Sequence, residues 1–180
     1  MKICYIKIKK IMKINVYPFK IVKKLIASNK LPTKNWISIR DIGYDYLYDE
    51  LNDHVENLLI IHFDDVTESN IRTNTIHPVY KKLIGERKFV LFDNNMARKI
   101  IDFSTEVYKK HEDLNIHCWA GKSRSQAVGY VLNQYFNLYL ENNKKDFLFN
   151  LNNSLNTFRG NFDVIRVMNE ELYKNEYICT

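Results

Sequence analysis

The stretch Leu114-Asn115-Ile116-His117-Cys118-Trp119-Ala120-Gly121-Lys122-Ser123-Arg124-Ser125-Gln126-Ala127-Val128 decides the fold. Residues 114–117 read as a short strand. From residue 124 to about 140, Val128, Val131, Leu132, Tyr135 and Phe136 recur at helical spacing. Residues 118–123 are then a tight loop between a strand end and a helix start. Such a loop turns several backbone N–H groups into one concavity, and the helix N-terminus adds partial positive charge. The concavity suits an oxyanion of phosphate size. Gly121 is expected to let the backbone approach that ligand closely.

The side chains at this loop fit one chemistry. Cys118 opens the loop, so its sulfur sits in the same field. That field favours the thiolate, the nucleophilic form, and can bring a cysteine pKa from about 8.5 to roughly 4–7. Arg124 closes the loop with a planar fork that can hold two oxygens of one anion. The Ser125 hydroxyl can donate to the sulfur and make it a better leaving group. His117 is expected to order the loop through backbone hydrogen bonds. A lone cysteine is ordinarily a buried structural thiol. Six specified positions, at about one in twenty each, recur by chance on the order of 10⁻⁸ per start point.

Outward from the loop, strands and helices alternate. Residues 14–17 and 36–39 read as strands. Pro18 opens a helix carrying Phe19, Val22, Leu25 and Ile26, and Leu31-Pro32 stops it. Residues 44–53 read as a short helix. Residues 55–63 hold an apolar run suited to a buried central strand, which ends at Asp64-Asp65-Val66. Residues 67–92 are long for a connection, so a functional lid or a short element is expected there. Asp93 reads as the N-cap of a helix to about residue 111, with Ala97, Ile100, Ile101, Ser104, Val107 and Tyr108 inward. Two helices follow, near 144–157 and 162–175. The pattern predicts a three-layer α/β domain: a mainly parallel sheet of four or five strands, helices on both faces, and the loop at a strand's C-terminal end.

Composition narrows the classes. The chain has 180 residues, 46% hydrophobic and 27% charged, which fits one globular domain. No apolar run is long enough for a membrane-spanning helix. Five glycines and three prolines exclude a fibrous chain. Three widely spaced cysteines (Cys4, Cys118, Cys179) make neither a disulfide framework nor a zinc ribbon, and point to a reducing, intracellular setting such as the cytoplasm. The net charge of +6 comes from residues 1–40, which hold ten Lys, Arg40 and no acidic residue. Two readings of that basic segment stand: an arm for an anionic partner, nucleic acid or lipid, and a solvated face with a frayed terminus, the plainer of the two. Residues 1–13 are expected to be an extension and 14–180 a single catalytic domain.

At His117, Cys118, Arg124 and Ser125 the chain resembles the cysteine-based protein tyrosine phosphatase superfamily. The A-G-K-S-R-S run is similar to the dual-specificity-like branch and its small bacterial and viral relatives. W-I-S-I-R-D (36–41), L-I-I-H-F-D-D-V (59–66), F-D-N-N-M-A-R-K-I-I-D-F (92–103) and N-F-D-V-I-R-V-M (161–168) resemble further segments of those relatives.

The resemblance implies the phosphatase fold and a hydrolysis of phosphomonoesters. Cys118 would attack phosphorus to form a phosphocysteine, while an aspartic acid protonates the leaving oxygen and then activates water. Arg124 and the amides of Trp119, Ala120, Gly121, Lys122 and Ser123 would carry the charge, with no metal or cofactor. The acid is expected at Asp65, with Asp64 beside it as the alternative; Asp93 is the third candidate, against its reading as a helix cap.

The expected substrate is a phosphorylated protein, on tyrosine and also on serine or threonine. Trp119 can stack on a phosphotyrosine ring or a nucleobase, or pack against the lid. Lys122 favours highly anionic substrates, so a phosphoinositide or an RNA 5′ phosphate stands as an alternative. Arg72, Lys81, Lys82, Arg87 and Lys88 would either cover an anionic substrate or be a solvated loop. A phosphoprotein-binding module without turnover is the third reading.

Overall fold

The computed structural model describes residues 12–139 and 160–176. The basic residues 1–11, the helix expected near 144–157, and Cys4 and Cys179 lie outside the described residues.

Four short strands form one parallel sheet in the order β1-β4-β2-β3: β1 (Ile14–Pro18), β2 (Trp36–Arg40), β3 (Leu58–His62) and β4 (Leu114–Cys118). The register sets Tyr17 and Ser38 on either side of His117. Every residue of β2 and β4 is buried, as central strands of a parallel sheet require.

The helices sort onto two faces. On one lie α5 (Asn94–Lys109), α6 (Arg124–Asn133) and α7 (Phe162–Glu176), packed on one another and around Ile37, Ile39, Ile61 and Ile116. Met12 joins this core two residues ahead of β1. On the other lie α1 (Phe19–Ala27) and α2 (Asp49–Asn52), with Phe19, Val22, Trp36, Tyr48 and Leu51 as a second cluster. Gly129 brings α6 down onto β1, since a Cβ there would stand 2.7 Å from Val16 Cγ2.

The 67–92 connection holds two short helices, α3 (Glu68–Arg72) and α4 (Pro78–Ile84). Thr67 and Asn70 make a capping box at the start of α3. Asp93 caps α5, its carboxylate accepting from the Met96 amide at 2.9 Å. The helix expected to run to residue 140 leaves regular α geometry earlier: from Gln134 to Tyr139 it widens into π turns. No helix among the described residues is long and apolar enough to cross a membrane.

Candidate active site

Three strand ends meet at the carboxyl edge of the sheet. Asp41 follows β2, Asp64 and Asp65 follow β3, and Cys118 ends β4. This is where open α/β sheets place their ligands.

Cys118 is buried, and its Sγ meets two groups of its own loop. The Gly121 amide donates to it at 3.2 Å, and Ser125 Oγ lies 3.1 Å away. With the sulfur as thiolate, the serine hydroxyl must be the donor. Gly121 holds φ +66°, the left-handed region. A Cβ on it would stand 2.5 Å from the Pro18 nitrogen and 2.7 Å from its Cα. The structure thus gives this glycine a reason of its own, besides the expected approach to a ligand. It lets the loop press on the β1–α1 junction, where the Phe19 amide also donates to the Trp119 carbonyl at 3.1 Å.

Arg124 is buried, with its guanidinium 5.8 Å above the Phe63 ring. Its Nη1 donates to the Phe63 carbonyl at 2.7 Å and pairs with Asp41 Oδ1 at 2.9 Å. Burial works against its charge, but Asp41, Asp65 and the neighbouring Cys118 more than offset this and raise its pKa. Its Nε meets no hydrogen-bond partner among the described residues and lies 3.9 Å from Asp65 Oδ2. A buried N–H on a cation that makes no hydrogen bond is a place suited to an anion.

The two neighbouring aspartates separate by environment. Asp64 is fully buried, and both its oxygens take the Arg87 fork at 2.6 Å, one of them also the Val90 amide at 2.9 Å. Burial alone would raise its pKa, but the Arg87 and Val90 hydrogen bonds outweigh it and hold the carboxyl below its usual range. A carboxylate so fixed is taken up by the Arg87 fork, which leaves Asp65 the freer of the two. Asp65 is 28% exposed. Its Oδ1 accepts from Ser123 Oγ at 2.6 Å and from Asn161 Nδ2 at 3.4 Å. It thus touches the loop of Cys118 directly. A pocket of about 420 Å³ opens beside it, lined in part by Asn70, Ser123, Asn161, Phe162 and Asp163. Among the described residues its lining carries two carboxylates, Asp65 and Asp163, and no cation.

His117 does not order the loop by hydrogen bonds. Neither ring nitrogen meets a partner among the described residues, although the Cys118 main chain lies close enough to favour the charged ring slightly. The ring sits in an aromatic box, with centroids 5.5 Å from Phe19, 5.6 Å from Tyr48 and 6.1 Å from Trp36. Burial, with the Arg40 charge, lowers its pKa to about 3. It is a neutral ring that fixes the end of β4 by packing.

The rest of the loop faces outward. Trp119 is 53% exposed, its ring 6.0 Å from Phe19, and Ala120 and Lys122 are exposed. Of the basic residues in 67–92, Arg87 turns inward to Asp64, while Arg72, Lys81, Lys82 and Lys88 are exposed. The sequence reading gave no role to Asp41, Tyr80 or Asn161. Asp41 carried a signal, a carboxylate directly after a buried strand, as at Asp64-Asp65.

No family model matches the chain, and no curated protein matches it. A solved structure does: the crystal structure of PTPMT1 in complex with PI(5)P. The fold resembles that of PTPMT1. The likeness covers 93% of this chain and 95% of that one, with a TM-score of 0.50 and 11% sequence identity. At that identity the comparison with PTPMT1 speaks for the fold alone.

Proposed function

We propose that the chain is a cysteine-based phosphomonoester hydrolase of the dual-specificity-like kind, acting on phosphotyrosine proteins. The observation that supports this best is the arrangement at the loop: a cysteine sulfur bonded by the Gly121 amide and Ser125, beside a buried arginine whose Nε has no hydrogen-bond partner among the described residues.

The steps follow from the placement of the groups. The phosphate lies against the loop, its non-bridging oxygens on the Nε side of Arg124. Cys118 Sγ forms a bond to phosphorus as the P–O bond to the leaving group breaks. Asp65 gives its proton to the leaving oxygen. Asp65, now a carboxylate, takes a proton from water, which attacks phosphorus as the P–S bond breaks. The Ser125 hydroxyl donates to the departing thiolate. Arg124 and the loop amides hold the charge that develops on the oxygens.

Two features favour a singly phosphorylated aryl ester. Trp119 is exposed beside the loop, where a phenol ring can stack. Among the described residues, the pocket on the Asp65 side, where the leaving group must lie, is lined by no cation for a second phosphate. A second reading, phosphoinositide hydrolysis, is favoured by the exposed Lys122 and by the PI(5)P in the PTPMT1 structure.

Phosphate release from a phosphotyrosine peptide and from PI(5)P vesicles, by wild type and Asp65→Asn, tests the proposal. Turnover of the peptide, reduced 10²-fold or more in Asp65→Asn, is expected. Turnover of vesicles alone would transfer the reading to lipid. A near-normal rate in Asp65→Asn would remove Asp65 as the acid.

A further inference from the structure

We propose that Tyr80, from the 67–92 connection, is a positioning residue that sets the proton donor Asp65 against the leaving oxygen; this rests on the phosphatase reading above.

The geometry carries it. The Tyr80 hydroxyl accepts from the Asp65 amide at 2.8 Å. It lies 3.1 Å from Asp41 Oδ1 and 3.4 Å from Asp64 Oδ1. A phenol has one proton to donate and can accept as well. The shorter contact assigns that proton to Asp41, the same carboxylate oxygen that pairs with Arg124 Nη1 at 2.9 Å. One hydroxyl thus ties the main chain of Asp65 to a carboxylate that Arg124 already holds in place. Burial and the Asp41 charge push the Tyr80 pKa well above its usual value, so the hydroxyl remains a donor at any working pH. Arg87, from the same connection, locks the neighbouring Asp64. The 67–92 segment therefore reaches inward to brace the acid loop, and its inward side chains are not spent on covering substrate.

A brace of this kind acts on the proton-transfer step and not on attack by sulfur. Its loss should depend on how much the leaving group needs a proton. The test measures kcat/KM for wild type, Tyr80→Phe, Asp65→Asn and the double variant on 2,4-dinitrophenyl, 4-nitrophenyl and phenyl phosphate. Tyr80→Phe keeps the ring and removes one neutral hydrogen-bonding group. A loss of roughly three- to tenfold is expected on phenyl phosphate, shrinking to none on the dinitrophenyl ester. The double variant should match Asp65→Asn alone on every ester, because both changes act through one group. Equal loss on all esters, with additive effects in the double variant, would overturn the proposal and leave Tyr80 a packing residue. A flat Tyr80→Phe profile beside a steep Asp65→Asn profile would overturn it alone. Absence of turnover by the wild type on all three esters would overturn it together with the phosphatase reading.

One measurement needs no variant. The Asp65 amide, bonded to Tyr80, should exchange its hydrogen slowly in the wild-type protein. Exchange as fast as in an exposed loop would contradict the proposal.

Discussion

His117 should make the protein sensitive to acid in a window set by one ring. In the folded chain its pKa is about 3; in the unfolded chain it returns to about 6.5. Between those values the unfolded state binds a proton that the folded state does not. Stability therefore rises with pH across the window, and is lost as pH falls from about 6.5 towards 3. At about 1.4 kcal/mol per pH unit, the whole window amounts to about 5 kcal/mol, and about 3 kcal/mol is gone by pH 4. A domain of this kind has about 5–15 kcal/mol in all, so the loss is large.

The assay is urea unfolding of the reduced protein, followed by tryptophan fluorescence, at several pH values between 7 and 4. The comparison is with His117→Phe, which keeps an aromatic ring in the box and cannot titrate. Any cost of fitting the larger ring offsets the variant's curve by a constant. The slope against pH is what the account predicts: steep in the wild type, shallower in the variant by up to one proton. Asp64 also resists protonation in the fold, but its loss falls below the ordinary carboxylate range and is common to both proteins. Parallel curves from pH 6.5 to 4 would refute the reasoning.

Two further substitutions follow from contacts at the site. Gly121→Ala places a methyl group 2.5 Å from the Pro18 nitrogen at φ +66°. The left-handed strain alone costs about 1–2 kcal/mol, and the backbone clash adds to it, so denaturant midpoint and turnover should both fall. Arg87→Gln leaves Asp64 buried without its cation. Breaking a buried pair costs about 3–5 kcal/mol, and because Arg87 is partly exposed the lower end is expected in urea titration.

The phosphate loop was legible because its information is local. A strand, a six-residue loop and a helix follow one another, and the chemistry-bearing side chains lie within nine positions. The sheet was legible for the same reason, since the apolar runs at 36–39, 58–62 and 114–117 are each short and followed by a polar end. The run expected to be a buried central strand, however, forms β3 at the sheet edge, where only Ile61 is buried, because its apolar character does not tell an edge from a centre. What escaped was set by packing between distant segments. That Gly121 must also clear Pro18, about a hundred residues earlier, shows only in the fold. Arg87 reads as one more surface cation until Asp64 is found buried across from it. His117 reads as a hydrogen-bonding residue until Phe19, Trp36 and Tyr48 close around its ring. Tyr80 lies in a polar stretch whose local pattern gives no reason to send one hydroxyl to three aspartates. The choice between Asp64 and Asp65 depended on this too, since only the fold shows which carboxylate is spent on an arginine.

Every step proposed for this site rests on Cys118 acting as a nucleophile towards phosphorus. Hydrolysis of 4-nitrophenyl phosphate in EDTA with reductant, by the wild type and by Cys118→Ser, tests it most directly. The account predicts turnover in the wild type and none above background in the variant. Equal turnover in both proteins, or none in the wild type on this ester, a phosphotyrosine peptide and PI(5)P alike, would contradict it.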